Sequence, residues 1–146
     1  MKRAERQQFS IRSLALAGSR RSLGLLVGAS ANEPWGVLMD TSFKDGNSYT
    51  VLAVADGNAS IYLSSGGGFL GGVGHESIRK AAKAMVSTAK TFQPKMALTT
   101  SYPLPKGGHT TFYVLTDAGV FTATASQEAL GRNQHELSPL FYAAQE

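Results

Sequence analysis

Two β-prone runs on either side of a tight-turn tripeptide constrain this chain more than any other feature of its sequence. They occupy residues 49–55 and 59–64 and flank Asp56-Gly57-Asn58. Aspartate, glycine and asparagine tolerate the positive φ angles of a tight reversal, and β-branched and aromatic residues suit paired strands. The stretch therefore predicts a β-hairpin, and with it an antiparallel sheet.

Further β patterns precede and follow this hairpin. Residues 35–43 place Val37, Met39 and Thr41 on one face at a period of two, which predicts a first strand. Residues 109–125 repeat the pattern around a reversal at 117–119, which predicts a second hairpin. Residues 94–108, which directly precede the second hairpin, contain three prolines. They predict a loop with at most one short strand, between 96 and 102.

The hydrophobic period changes to that of a helix from Glu76 onward. Ile78, Met85 and Ala89 recur at helical spacing, and the pattern ends at about Phe92, before a proline. The outer face of this helix is basic, with Arg79, Lys80, Lys83 and Lys90. Such a face is either simply solvated or in contact with an anionic partner.

Together these elements predict one α+β domain over residues 35–146. Ser126 and Ser138-Pro139 carry start signals for further helices after the second hairpin. We expect a five-stranded, mainly antiparallel sheet with helices packed against it. A chain of 146 residues has the usual size of a single domain with one core.

Residues 1–34 differ in character from the rest of the chain. They carry all of the formal net charge of +4, whereas the remaining residues hold eight basic and eight acidic side chains. We expect a disordered basic extension, with nucleic-acid binding left open for this arm and not expected for the body. Alternatives are a transit peptide, or a twin-arginine-like export signal at 19–31 with Arg20-Arg21 and a short apolar run.

Composition excludes several classes of protein. Without cysteine there is no disulfide framework, no thiolate nucleophile and no cysteine-ligated zinc. No apolar run approaches the roughly 18 residues that a membrane-spanning helix needs. These features favour a cytoplasmic location.

The glycine-rich stretch 66–74 is the candidate ligand site. GGGFLG satisfies G-x-G-x-x-G, but no acidic residue follows at about 20 positions to bind a ribose, and the preceding strand belongs to an antiparallel hairpin. A loop of glycines at the start of a basic helix can still hold a small anion. The residues proposed for that role are Gly71, Gly72, Gly74, His75, Glu76 and Arg79. The alternative is a strand-to-helix connection whose glycines only supply backbone freedom.

Other catalytic chemistry is sparse. The three histidines have no pair at metal-ligand spacing, so no metal site and no cofactor are predicted. Asp40, Asp45, Asp56 and Asp117 are interpreted as turn or strand-end residues, where solvated turn duty outweighs acid–base work. No catalytic residue is assigned.

The order of elements resembles the roadblock/dynein light chain family and its longin-like and profilin-like relatives. The resemblance covers residues 51–125, in the first hairpin, the helix and the second hairpin. The body is also similar to uncharacterised bacterial proteins that share WGVLMD and ADGNASIYLSSGGGFLGG. Roadblock-like domains dimerise and regulate GTPases or motors, so the resemblance implies a non-enzymatic interaction or regulatory module that forms a homo-oligomer or binds a protein. The alternative is a small-anion-binding or catalytic domain that uses the glycine-rich loop.

Overall fold

The described residues of the chain form one antiparallel sheet of seven strands with a long helix on one side. The computed structural model describes residues 16, 33–55, 59–63, 68–71, 76–126 and 129–130. The strands are β1 (Gly36–Ser42), β2 (Ser48–Val54), β3 (Ala59–Leu63), β4 (Gly68–Gly71), β5 (Ala97–Thr99), β6 (His109–Thr116) and β7 (Gly119–Ser126). Their order across the sheet is β4-β3-β2-β1-β6-β7-β5. The predicted α+β class and antiparallel pairing are confirmed.

Both predicted hairpins are present. β2 pairs with β3 through Tyr49 and Leu63, although the tip at 56–58 lies outside the described residues. β6 pairs with β7 up to Thr116 and Gly119, which leaves a two-residue turn between them. The Thr116 hydroxyl closes that turn, because it donates to the Gly119 carbonyl at 2.7 Å and accepts from the Ala118 N–H at 3.1 Å.

The strand count of five was wrong, since the sheet has seven. One additional strand is β5, which lies within residues 96–102, where the sequence allowed at most one short strand. The other is β4, which lies within the glycine-rich stretch and pairs antiparallel with β3 from Tyr62–Gly68 to Ala59–Gly71. Glycine has a low intrinsic strand preference, so the pairing with β3 and not local propensity defines this strand.

The helix α1 (Glu76–Phe92) begins and ends where the sequence predicted. Its buried side is formed by Ala82, Met85, Val86 and Ala89, which pack against Val37, Met39, Val51, Phe112 and Val114 of the sheet. We call this side of the sheet the helix face. Burial of a large aliphatic or aromatic side chain contributes about 1.5–3 kcal/mol, so this cluster is the main source of stability in the described residues.

The opposite side, the second face, has an apolar cluster of its own. Trp35, Leu38, Tyr113, Leu115 and Val120 are its buried members. Leu16 is helical, 6% exposed and part of the same cluster, so the N-terminal region contributes at least this side chain to the second face. Because both faces are covered at its position, β1 is buried at all seven residues.

The second hairpin leads into a helical turn. The Ala129 N–H donates to the Ser126 hydroxyl at 3.2 Å, which is the capping contact expected of a serine at a helix start. Leu130 follows and is fully buried in the cluster under α1. The start signal at Ser138-Pro139 lies outside the described residues. Within the described ranges, no helix is long and apolar enough to cross a bilayer.

Candidate functional site

A row of polar residues, buried except at its β7 end, crosses the second face of the sheet. Strand register places Thr50, Asp40 and Thr111 side by side on β2, β1 and β6, with Thr124 of β7 next in the row. Asp40 is fully buried, and its Oδ1 accepts a 2.6 Å hydrogen bond from the Thr50 hydroxyl. The hydroxyls of Thr111 and Thr124 lie 2.8 Å apart.

The turn or strand-end role expected for Asp40 was therefore wrong. Asp40 lies inside β1, paired with Thr50 on one side and Thr111 on the other. A buried carboxylate requires hydrogen-bond donors, and Thr50 supplies one of them. Asp45 and Asp117 are exposed in turns, as predicted, and Asp56 lies outside the described residues.

A cleft of about 520 Å³ lies at the β6–β7 end of this row. Its floor is the second face of the two strands, where Thr111, Tyr113, Thr122 and Thr124 line it. Three of these four side chains are hydroxyl-bearing and aliphatic, and the fourth is a tyrosine ring. The floor thus offers hydrogen bonds and an apolar surface to the same ligand.

The wall of the cleft is the segment that connects β5 to β6. Residues Ser101, Pro103, Leu104, Pro105 and Lys106 line it. The segment is tied to the floor by the Tyr113 hydroxyl, which donates to the Pro103 carbonyl at 2.7 Å. The Tyr102 and Tyr113 rings also meet edge to face, with their centroids 5.9 Å apart.

A tight turn places Lys106 and His109 at one end of the cleft. The His109 N–H donates to the Lys106 carbonyl at 3.0 Å, and Gly108 between them has φ +85°, as the third residue of a type II turn requires. The Gly108 N–H donates to the Ser42 carbonyl at 2.7 Å, which fixes the turn against the end of β1. Both basic side chains line the cleft, and no acidic residue of the described chain does.

A second candidate surface lies at the opposite end of the sheet, on the helix face. Phe43, Ile61 and Leu63 are 40%, 37% and 39% exposed. Tyr49 joins them, because its ring lies 5.7 Å from that of Phe43 and its backbone pairs with Leu63. We call these four residues the apolar patch, and it borders the edge strand β4.

The ligand site predicted from sequence is described only at its ends. Gly71 closes β4, Glu76 begins α1, and Arg79 is partly exposed on the first turns of that helix. Gly72, Gly74 and His75 lie outside the described residues, so anion binding there stays a prediction. The G-x-G-x-x-G match is not a strand-to-helix loop, since residues 68–71 pair as a strand.

Comparison with known proteins adds no function. No protein-family model, no curated protein and no solved structure matches this chain. In the part of the chain that the structure describes, no three histidine or acidic side chains lie close enough to hold a metal ion.

Sequence reasoning missed both the buried row and the cleft. One signal was present: β1 alternates Val37, Met39 and Thr41 with Leu38 and Asp40, so its second side is only partly polar. Leu38 shares a face with Asp40, and a large aliphatic residue there indicates that this face is covered. The cleft had no such signal, because the pattern of residues 101–106 predicts a loop and does not indicate which surface that loop covers.

Proposed function

We propose that this protein is a non-enzymatic interaction module that self-associates through the β3–β4 end of its sheet. The observation that carries the proposal is the combination of an unprotected edge strand with the apolar patch beside it. The sequence resembles the roadblock family, whose members dimerise, and this resemblance favours the same conclusion. The lack of cysteine fits a cytoplasmic setting for such a module.

Within the described residues, the edge strand β4 contains none of the residues that usually protect an edge against pairing. Among the described strands it has a neighbour on one side alone, β3. An edge strand presents unpaired N–H and C=O groups, and natural proteins guard such edges with charged residues or proline. The sequence of β4, GFLG, contains neither. A second copy of the chain can therefore extend the sheet across a two-fold axis, as symmetric dimers do.

The apolar patch supplies the hydrophobic component of such a contact. Ile61 and Leu63 project from β3, the strand next to the edge, and Phe43 lies beyond them above β2. Exposed apolar side chains that are contiguous, instead of scattered, are typical of protein contact sites. In a two-fold dimer the patch of one copy would contact the patch of the other, so each apolar side chain would be buried once in each copy.

The other end of the sheet is a poorer contact surface. The edge strand β5 has three residues, and Pro94 and Lys95 precede it closely. Leu98 of β5 is 64% exposed, and the end of its side chain lies next to Gly119 of the neighbouring β7. Short length and nearby proline and charge are the devices that prevent edge pairing.

Sedimentation equilibrium of the full chain, from low to high micromolar concentration, tests this proposal. We expect a dimer that Leu63→Lys converts to a monomer, because each copy would bury an unpaired ammonium group. Leu104→Lys is the matched control, since Leu104 is equally exposed at 39% and lies on the second face. Circular dichroism of each variant establishes that it is folded.

Two results would contradict the proposal. One is a monomeric wild-type chain at high micromolar concentration. The other is a dimer that survives Leu63→Lys and dissociates with Leu98→Lys, which would move the contact to the β5 edge.

A further inference from the structure

We propose that the cleft between the second face and the β5–β6 connection binds a small organic anion with an apolar body. The anionic group lies at the end that Lys106 and His109 form, and the apolar body lies against Tyr113 and Leu104. This site is separate from the self-association surface and from the glycine-rich stretch.

The charge at the cleft favours an anion. Lys106 and His109 are the two ionisable side chains other than tyrosine that line it, and the Lys106 amino group, when charged, donates hydrogen bonds and accepts none. Nδ1 of His109 lies 3.3 Å from the Gly107 carbonyl oxygen. A carbonyl oxygen only accepts, so this contact places the ring proton on Nδ1, and Nε2 of the neutral ring is then an acceptor. Lys106 is therefore the side chain that donates to the anion, and His109 forms the side of its pocket.

The floor has one hydroxyl hydrogen to offer. Thr111 and Thr124 carry two hydroxyl hydrogens between them, and the 2.8 Å bond that joins them uses one. Thr122 donates to the Phe112 carbonyl at 3.0 Å, and Tyr113 donates to Pro103. The remaining hydrogen of the Thr111–Thr124 pair therefore serves a ligand acceptor in the middle of the cleft.

The order of side chains along β6 orients the ligand. His109, Thr111 and Tyr113 are alternate residues on one face of the strand, so they are spaced by about 6.8 Å. The basic end and the aromatic end of the cleft are thus about 14 Å apart along the strand. The Pro103 and Leu104 side chains line the wall of this cleft. A carboxylate or phosphate on an aromatic or aliphatic body matches this polarity.

The buried carboxylate of Asp40 restricts where the negative charge can lie. Asp40 is the register neighbour of Thr111 but does not line the cleft. Its Oδ1 accepts from Thr50, on the strand that lies on the far side from β6. An ionised Asp40 would repel an anion over Thr111, whereas the exposed Lys106 attracts one, so the anionic group is placed at the Lys106 end.

The test is an NMR titration of the 15N-labelled full chain with naphthalene-2-carboxylate, with naphthalene-2-methanol as its neutral counterpart. We expect amide shifts at Lys106, Thr111, Thr122 and Thr124, and affinity about tenfold higher for the carboxylate than for the alcohol. Lys106→Gln should remove this preference and leave the alcohol unaffected. Lys83→Gln, on the exposed side of α1, is the matched control and should change neither.

A second variant tests the location independently of charge. Thr124 is exposed, so Thr124→Phe should be tolerated and should fill the cleft, abolishing binding of both probes. The inference is overturned by the absence of binding, by equal affinities for the two probes, by Lys106→Gln behaving as wild type, or by shifts confined to the apolar patch. Dimerisation remains measurable in every variant, so neither proposal depends on the other.

Discussion

Thr50 and Asp40 face each other on neighbouring strands, and the threonine hydroxyl donates a 2.6 Å hydrogen bond to the carboxylate where neither residue reaches solvent. A buried carboxyl oxygen that loses its donor costs the full desolvation of that oxygen, which exceeds the net contribution of an ordinary hydrogen bond. This pair is therefore the polar contact of the second face whose loss should cost most.

We expect Thr50→Val to lower the free energy of unfolding by about 2 kcal/mol. Thr50→Ser keeps the hydroxyl and should lose much less. Urea unfolding followed by the fluorescence of Trp35, the single tryptophan and a buried one, measures both. The control is Thr88→Val, because the Thr88 hydroxyl donates to the Ala84 carbonyl at an exposed position on α1. Equal losses for Thr50→Val and Thr88→Val would contradict the argument.

Leu16 provides a direct test of whether the N-terminal region contributes to the fold. Leu16→Ala should cost about 2–5 kcal/mol, because it removes a 6% exposed side chain from the cluster around Trp35 and Leu115. Leu104→Ala, at a 39% exposed leucine, should cost under about 0.5 kcal/mol. A thermal unfolding midpoint for Leu16→Ala that matches wild type would show that the second face does not depend on this residue.

Gly108 should resist substitution by any residue with a side chain. Its φ is +85°, and an added Cβ would lie 3.4 Å from the Lys44 side chain, so the cost comes from the backbone and not from a clash. Gly108→Ala should lose about 1 kcal/mol of stability. Gly108→Asn should lose less, since asparagine tolerates left-handed conformations better than alanine. The reverse order in chemical denaturation would argue against this turn.

The Tyr113 hydroxyl should control the wall of the cleft more than the stability of the sheet. Tyr113→Phe removes the bond to the Pro103 carbonyl and should cost about 1 kcal/mol. Hydrogen exchange should become faster at the Gly108 amide, whose hydrogen bond to the Ser42 carbonyl lies at the end of the wall, because local opening of the wall becomes easier. The amides of β6 serve as the internal control. If exchange accelerates equally in β6 and in the wall, the hydroxyl is not a local tether.

Self-association should appear in thermal stability. If the dimer is the folded form, the melting temperature of the wild-type chain should rise with protein concentration, since mass action favours the associated state. Leu63→Lys should have a melting temperature that is independent of concentration. A hundredfold dilution should lower the free energy of unfolding of a dimer by on the order of 2.7 kcal/mol. A wild-type melting temperature that does not change over that dilution would contradict the proposed self-association.

Local pattern was sufficient for the elements whose periodicity is strong. The bounds of α1 followed from the spacing of Met85 and Ala89, because an amphipathic helix repeats its buried side every three to four residues. Both hairpins followed from turn residues between alternating runs. The strand β4 did not, because a glycine-rich segment has little preference of its own and becomes a strand only when β3 offers it partners.

The candidate sites depended on contacts that no local pattern contains. Asp40 resembled a solvated residue near the end of a strand, and it is buried because the second face is covered. The cleft arises where residues 101–106 pass over β6 and β7, which the chain reaches only later. The glycine-rich stretch, which the sequence singled out, contributes an edge strand in its described part.

By itself the sequence determined the antiparallel α+β class, both hairpins and the limits of α1, since each follows from hydrophobic period and turn chemistry over fewer than about 20 residues. The tertiary structure alone decided the seven-strand order, the burial of Asp40 beside Thr50, and the meeting of Lys106 and His109 with Thr124 around one cleft. The physical reason is that the central pairing is long-range: Thr41 of β1 and Thr110 of β6 are 69 residues apart in the chain, and the strand order and the row beside Asp40 depend on the meeting of these two strands.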